Sequence, residues 1–368
     1  MYDNLCNCIC VYLNKLIYLL SSYYHYSGPP LNDNLPLRPI IKMSDDNVRI
    51  LRTPGHHGYG VKFSPFNPNL VAVATGQNFG LLGRGKLILS DLCLPDDGVV
   101  SSCEWSDALF DLTWSEQSPN NIVTASGDGT LHLWDTANPQ APLMVYQEHL
   151  KEVYSVDWSQ TQDYQVFVSA SWDTTLKLWD PNRSRSLMTM TGHEALVYQA
   201  VWSPHLSGCI ASVAGDGILR IWNTKKNSQP SITIRVCEGE VLSCDWCKYN
   251  ENVIATASTD ANIYGWDLRQ PTLPIFILFG HEYPVRRVKF SPFIETQLAS
   301  ASYDFTTRVW DHTAPSPCLE VMKNHTEFVY GLDLSNHKEG VMADCAWDQT
   351  VAIYHPGKPH LTPHEALQ

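Results

Sequence analysis

The chain has 368 residues, 44% hydrophobic and 17% charged: enough for one large domain or two ordinary ones around a buried core, and too apolar for global disorder. Its 38 acidic residues against 25 lysines and arginines leave a net charge of −13, which disfavours a phosphate backbone as partner and suits a cationic one. Eleven cysteines at irregular spacings, several inside apolar runs such as "GCIASVAGD" where Cys209 reads as a small buried residue, need no disulfide framework and fit a reducing compartment.

Residues 1–42 differ in character from the rest of the chain and are expected to be an extension, disordered or a non-native start, with Met43 the natural one. The apolar stretch Leu5–Leu20 is broken by Asn7, Asn14 and Lys15 and falls short of the roughly 20 residues a spanning helix needs. Asp3 and the lack of a clean small-residue cleavage site argue against a signal peptide. Ser27–Pro39 reads as a linker, and Cys6, Cys8 and Cys10 match no zinc spacing.

From residue 47 onward a repeat dominates. "LILSD", "LHLWD", "LKLWD", "LRIWN", "IYGWD", "TRVWD" and "VAIYH" end at Asp91, Asp135, Asp180, Asn223, Asp267, Asp311 and His355, at intervals of 44, 45, 43, 44, 44 and 44 residues. His149, His193, His281 and His325 precede the aromatic residue of their repeat by 30, 29, 29 and 29 positions. After each comes an alternating segment such as "VYSVDWS", then a second strand such as "QLASAS", a tight turn and the strand ending in Trp-Asp. Short strands at even spacing predict an all-β propeller of seven blades over residues 43–358, with 359–368 as a short tail. The unused "NVRILRT" (47–53) is expected to close the ring by pairing with the last repeat, which lacks an outer strand of its own.

The pattern resembles the WD-repeat family over residues 47–355. The resemblance implies a buried network of loop histidine, strand serine, turn aspartate and tryptophan, here His149, Ser171, Asp173 and Trp179 in one blade. Its counterparts elsewhere are His193, Asp216 and Trp222; His281, Ser302, Asp304 and Trp310; and His325 with Asp348. A Ser/His/Asp set repeated around a ring is scaffold, because a nucleophile needs one unique accessible site with an oxyanion pocket. No catalytic residue and no enzymatic activity are therefore expected.

Two other motifs fail on chemistry. "GLLGRGKL" (80–87) fits G-x-x-x-x-G-K, but Leu87 stands where Ser or Thr would hold Mg²⁺, and the loop joins two strands instead of opening a helix. Cys244 and Cys247 in "CDWC" have redox spacing, yet residues three apart on a strand face opposite ways. No metal, cofactor or small-molecule substrate is expected.

What remains is a surface. Residues flanking the first strand of each repeat and those before the turn aspartates supply the candidates for peptide binding: His57, Tyr59, Asp107, Phe110, Glu152, Tyr154, Trp172, Tyr198, Glu240, Tyr303, Phe328, Tyr330 and Trp347. Aromatic side chains with a few charged anchors are what binding hot spots use. The segments "RTPGHHGYGVKFSPF", "FDLTWSE", "EVYSVDWSQT", "LSCDWCKYNEN" and "RRVKFSPF", with "SYDFT" and "NHTEF", are similar to the family of receptors for the type 2 peroxisomal targeting signal. That resemblance implies a soluble import receptor of cytosol and peroxisome. Its cargo carries an N-terminal nonapeptide of the R-L-x5-H-L kind, whose key residues share one face of an amphipathic helix. It also implies an import co-receptor, either the long form of the type 1 signal receptor or a fungal-type one, and the peroxisomal docking complex as partners, with no nucleic acid. Rival readings are a WD-repeat adaptor of another assembly such as a ubiquitin ligase, a nucleotide-using enzyme, and a form anchored to membrane through residues 5–20.

Overall fold

In each repeat the four alternating segments fold as an antiparallel four-stranded sheet. The computed structural model of the protein describes residues 48–161, 165–226 and 228–357 and contains seven such sheets. Blades one to six follow chain order, from His57–Phe63 as the first inner strand to Cys318–Met322 as the sixth outer one. The seventh takes its outer strand from Val48–Arg52, which pairs antiparallel with Thr350–Tyr354, Val48 opposite Tyr354 and Arg52 opposite Thr350. Arg49 adds bonds to the carbonyls of Leu92, Leu94 and Asp96, and the Arg52 N–H donates to Asp97 Oδ1 at 2.9 Å, so the closing strand also grips the first blade. Expectations for residues 1–42, the start at Met43 and the tail 359–368 lie outside the described residues.

The core lies between blades. Val168, Ala170, Leu178 and Met190 of the third blade pack on Val197, Ala200, Trp202 and Trp222 of the fourth. The second strand of each blade is buried on both faces, and alanines such as Ala125, Ala170, Ala211, Ala255 and Ala299 let neighbouring sheets approach. Adjacent blades are also latched by side chains of the inner strands. Asp157 Oδ2 accepts the Trp202 N–H at 2.8 Å, Asp245 Oδ2 that of Phe290 at 2.8 Å, and Asp333 Oδ2 that of Phe63 at 2.9 Å.

The histidine network is present, with one correction. His149 Nδ1 meets Asp173 Oδ2 at 2.8 Å, but its Nε2 meets Ser169 Oγ at 2.7 Å, and the Trp179 indole donates to the same Ser169 at 2.8 Å. The hub is Ser169, not Ser171. Ser212 and Ser300 hold the same place for His193 with Trp222 and for His281 with Trp310. Ser171 and Ser302 instead shape the turn: each hydroxyl accepts the N–H of its aspartate, Asp173 or Asp304, and donates to a loop carbonyl. Both serines of a pair point the same way on a period-two strand, so alternation cannot separate them. The hub lies nearer the middle of the sheet, ten residues before the tryptophan whose indole reaches it.

Blade seven varies this scheme. Asp344 replaces the hub serine and Tyr354 the tryptophan: His325 Nε2 meets Asp344 Oδ1 at 2.9 Å while its Nδ1 meets Asp348 Oδ2 at 3.0 Å. The Tyr354 and Thr307 hydroxyls donate to Asp344 Oδ2 at 2.6 and 2.5 Å. In blades four and six burial keeps the pKa values of His193 and His281 below the ordinary imidazole range. In blade seven burial works the same way, but two flanking carboxylates outweigh it and raise His325 to about 10. The imidazolium is thus clamped at the blade that closes the ring.

Candidate functional site

Every inner strand carries a register shift at its start, between Gly58 and Gly60, Leu109 and Asp111, Val153 and Ser155, Val197 and Gln199, Val241 and Ser243, Val285 and Arg287, and Val329 and Gly331. Each bulge leaves one residue out of the ladder and re-aims it. Seven bulges around a ring aim Tyr59, Phe110, Tyr154, Tyr198, Leu242, Arg286 and Tyr330 at one mouth of the central channel. Five aromatic residues, a leucine and an arginine make a plug.

The rings form one continuous cluster. Tyr59 meets Phe110 and Tyr330 edge-on, each at 5.0 Å between centroids, and Phe110 lies 4.7 Å from Tyr154. Trp172 stacks on Tyr154 at 4.8 Å and Trp347 on Tyr330 at 5.3 Å. Phe328 links Trp347 to Tyr303, and His57 stacks on Phe79 at 4.0 Å while Nδ1 meets the Trp347 carbonyl. Arg286, 1% exposed, is held inside: its guanidinium carbon sits 4.6 Å from the Tyr330 ring centre and 5.6 Å from that of Tyr154, and Nη1 donates to the Leu242 carbonyl at 3.3 Å. Cation–π contact stabilises this buried guanidinium, which forms no salt bridge among the described residues.

The candidates therefore divide. His57, Tyr59, Phe110, Tyr154, Trp172, Tyr198, Tyr330 and Trp347 are buried and act as the floor of this face; Asp107, Glu152, Glu240, Tyr303 and Phe328 remain half-exposed above it. Tyr59, Tyr154, Tyr198 and Tyr330 thus pack into a floor. Its cause is convergence, since seven bulky side chains aimed at one axis fill the opening between them. Four residues of this face were absent from the candidates: Leu242 and Arg286 of the plug, Phe79, exposed on the loop of the first blade beside Trp347, and Phe305, against Phe328. Phe305 directly follows Asp304 with φ of 67°, a turn position the sequence signals only weakly.

Carboxylates line one side. Burial, with Asp128 and Glu152 nearby, raises the Asp107 pKa above the ordinary carboxylate range. Tyr198 donates its hydroxyl to Glu240 Oε2 at 2.9 Å, and the phenol is pushed well above its usual pKa by burial and that neighbour. A carboxylate that is costly to ionise among other carboxylates gains most from an incoming cation. The other channel mouth is different: a cavity of about 210 Å³ there is lined by Lys62, Asp157, Lys289 and Asp333, with Lys62 3.8 Å from Asp333 and Lys289 3.6 Å from Asp245. Both lysines are thereby paired with a carboxylate. The glycine-rich loop, meanwhile, joins two strands through a single turn at Asn78–Gly80, and Lys86 lies in the following strand 3.6 Å from Glu104, so nothing there cradles a phosphate. Cys244 and Cys247 are buried free thiols.

Comparison with known proteins adds a family match. The WD domain, G-beta repeat, matches residues 96–135, 140–180, 184–223 and 273–311. The fold is the WD-repeat propeller. The remaining three blades carry the diverged repeats, where Ser90 or Tyr354 stands for tryptophan or, in blade five, Cys237 stands at the loop-histidine position. Similar proteins include the peroxisomal targeting signal 2 receptor of Homo sapiens, 52% identical over 168 residues, covering 45% of this chain and 51% of that one. The receptor of the same name from Mus musculus is 51% identical over 165 residues, 45% of this chain and 52% of its own. That from Saccharomyces cerevisiae is 36% identical over 221 residues, 52% and 59% respectively. The chain spans about half the length of the curated relatives it matches.

Proposed function

We propose that this WD-repeat propeller is a receptor for the type 2 peroxisomal targeting signal, acting between cytosol and peroxisome without catalysing a reaction. The observation that carries the reading is the pairing, on one face, of an aromatic floor with a carboxylate side. The names of relatives at 52% and 36% identity support it. A helical R-L-x5-H-L segment presents its cation and its apolar residues along one face. Asp107, Glu152 and Glu240 would take the cation; Trp172, Tyr303, Phe328 and Trp347 would meet the apolar side, with Tyr59, Tyr154, Tyr198 and Tyr330 supporting them from below. A co-receptor and the peroxisomal docking machinery would complete the pathway.

The test is fluorescence anisotropy with a labelled R-L-x5-H-L peptide, and a control with aspartate in place of the arginine, with and without a co-receptor fragment. The expected result is binding that the charge reversal weakens by at least about a hundredfold. Equal binding of the two peptides would leave an adaptor of another assembly as the reading.

Asp107→Asn separates binding from folding. A carboxyl whose folded pKa lies above its unfolded value loses stability as pH rises past the unfolded pKa, so at neutral pH the amide should hold or raise the thermal midpoint. The same change should weaken the arginine peptide by about tenfold. Unfolding and binding curves on one preparation check both signs; a variant that loses stability and keeps affinity contradicts the assignment.

A further inference from the structure

The outer wall of the propeller carries an apolar groove that the channel-mouth site does not use. In the fifth blade Leu273, Ile275, Ile277 and Phe279 are 74%, 52%, 38% and 65% exposed, at alternate positions along and beside the outer strand Phe276–Leu278. The intervening residues fix this orientation. Phe276 stacks on His312 at 4.5 Å and lies over Gly265, where any Cβ would collide with the ring, and Leu278 is in the core with the sixth blade. With those two turned toward blade six, the odd-numbered residues must face blade four.

On that side the groove has a floor. Ile277 lies opposite Tyr264, and Tyr264, Leu268, Ile232 and Cys237 are partly buried against the core shared by blades four and five. From Ile275 to Phe279 the lip runs about 13 Å at the rise of an extended strand, with Leu273 in the turn before it. The edge of blade four is not built this way, since its outer strand Pro230–Arg235 exposes Ser231, Thr233 and Arg235, and blade six exposes a shorter apolar pair, Leu319 and Val321. A contiguous stripe of this kind on a soluble protein marks a contact surface.

Charge says what kind of partner fits. At the end of the groove where the third and fourth strands of blades four and five turn, Lys225 and Lys226 are exposed, while Arg269 is taken up by Asp267 at 2.6 Å. At the other end Arg235 is paired with Glu238 at 2.8 Å. The two lysines are therefore the local excess on a chain of net charge −13. We propose that the groove between the fourth and fifth blades docks an extended apolar segment of a partner protein, with an acidic end lying over Lys225 and Lys226. Alternate side chains fill the groove beside Ile275, Ile277 and Phe279, and the charge fixes the direction of the segment. This site is independent of the peptide-receptor reading.

The experiment uses the full chain and two fluorescein-labelled twelve-residue probes that alternate valine and serine, one ending in three glutamates and the other in three lysines. The glutamate probe is expected to bind at least about tenfold more tightly. Ile277→Asp should abolish that binding, and Lys225→Glu with Lys226→Glu should reverse the preference, with circular dichroism and thermal midpoints unchanged because all three side chains lie on the surface. Equal affinity for the probes, no binding of either, or binding that survives Ile277→Asp would overturn the proposal. So would sedimentation showing a concentration-dependent dimer that Ile277→Asp removes, which would give the groove to a second copy of this chain.

Discussion

Replacing Asp344 by alanine is expected to destabilise the protein by about 3–5 kcal/mol, the range for removing one partner of a buried ion pair. Asp344 is almost fully buried and accepts from His325, Tyr354 and Thr307, the last from the neighbouring blade. Alanine leaves an imidazolium facing one carboxylate and strands two hydroxyls, at the blade held shut by a strand from the other end of the chain. Serine at 344 restores the hub of blades three, four and six and should recover part of the loss, more so with Tyr354→Trp. Urea unfolding measures the series; a loss for Asp344→Ala below about 1 kcal/mol would mean the clamp contributes no more than an ordinary hydrogen bond.

The same clamp gives the alkaline limb of stability a definite sign. His325 titrates near 10 in the fold against about 6.5 unfolded, so its contribution is complete below pH 6.5 and is lost as pH rises through 10. The steepest slope from one such group is about 1.4 kcal/mol per pH unit. Asp216 and Asp304 act at the other limb: burial opposes their ionisation, but hydrogen bonds from His193 and Arg220, and from His281 and Thr306, hold each at about 2. Their contribution is present above the unfolded value near 3.8 and lost as pH falls through 2. Asp344→Ser should flatten the alkaline slope and leave the acid one in place.

Blade number and ring closure were legible because spacing carries them: Trp-Asp pairs recur every 43 to 45 residues, and one alternating segment was left over at the start. The hub residue was less legible. Thr124, Ser169, Ser212, Thr256, Ser300 and Asp344 share a distance of ten residues from Trp134, Trp179, Trp222, Trp266, Trp310 and Tyr354. Since the type changes from blade to blade, the eye settles on the more uniform serine two positions later. Burial of Tyr59, Tyr154, Tyr198 and Tyr330 was not legible at all. Each looks like a strand-end residue within its own repeat, and only the closed ring brings the four to a common axis. Arg286 stands at the equivalent place in the sixth repeat, so its position could be found by the same alignment; its role in the plug needed the neighbours.

Closure can be tested at the level of single residues, because a period-two strand makes opposite predictions for adjacent positions. Leu51 lies opposite Val351 and packs with Val61, Phe63, Val71 and Ile353, whereas Ile50, next to it, is 38% exposed. Leu51→Asp places an unpaired carboxylate among those side chains and removes a buried leucine, for a loss of about 4 kcal/mol. Ile50→Asp should change stability by no more than about 0.5 kcal/mol. Loss of the closing strand also bares the edge of Thr350–Tyr354, so the Leu51 variant should aggregate at concentrations where the Ile50 variant stays monomeric in sedimentation. A one-residue slip of the strand would exchange the two phenotypes, and two mild variants would mean that the interblade latches hold the ring without it. Asymmetry between Leu51 and Ile50 is the outcome this register requires.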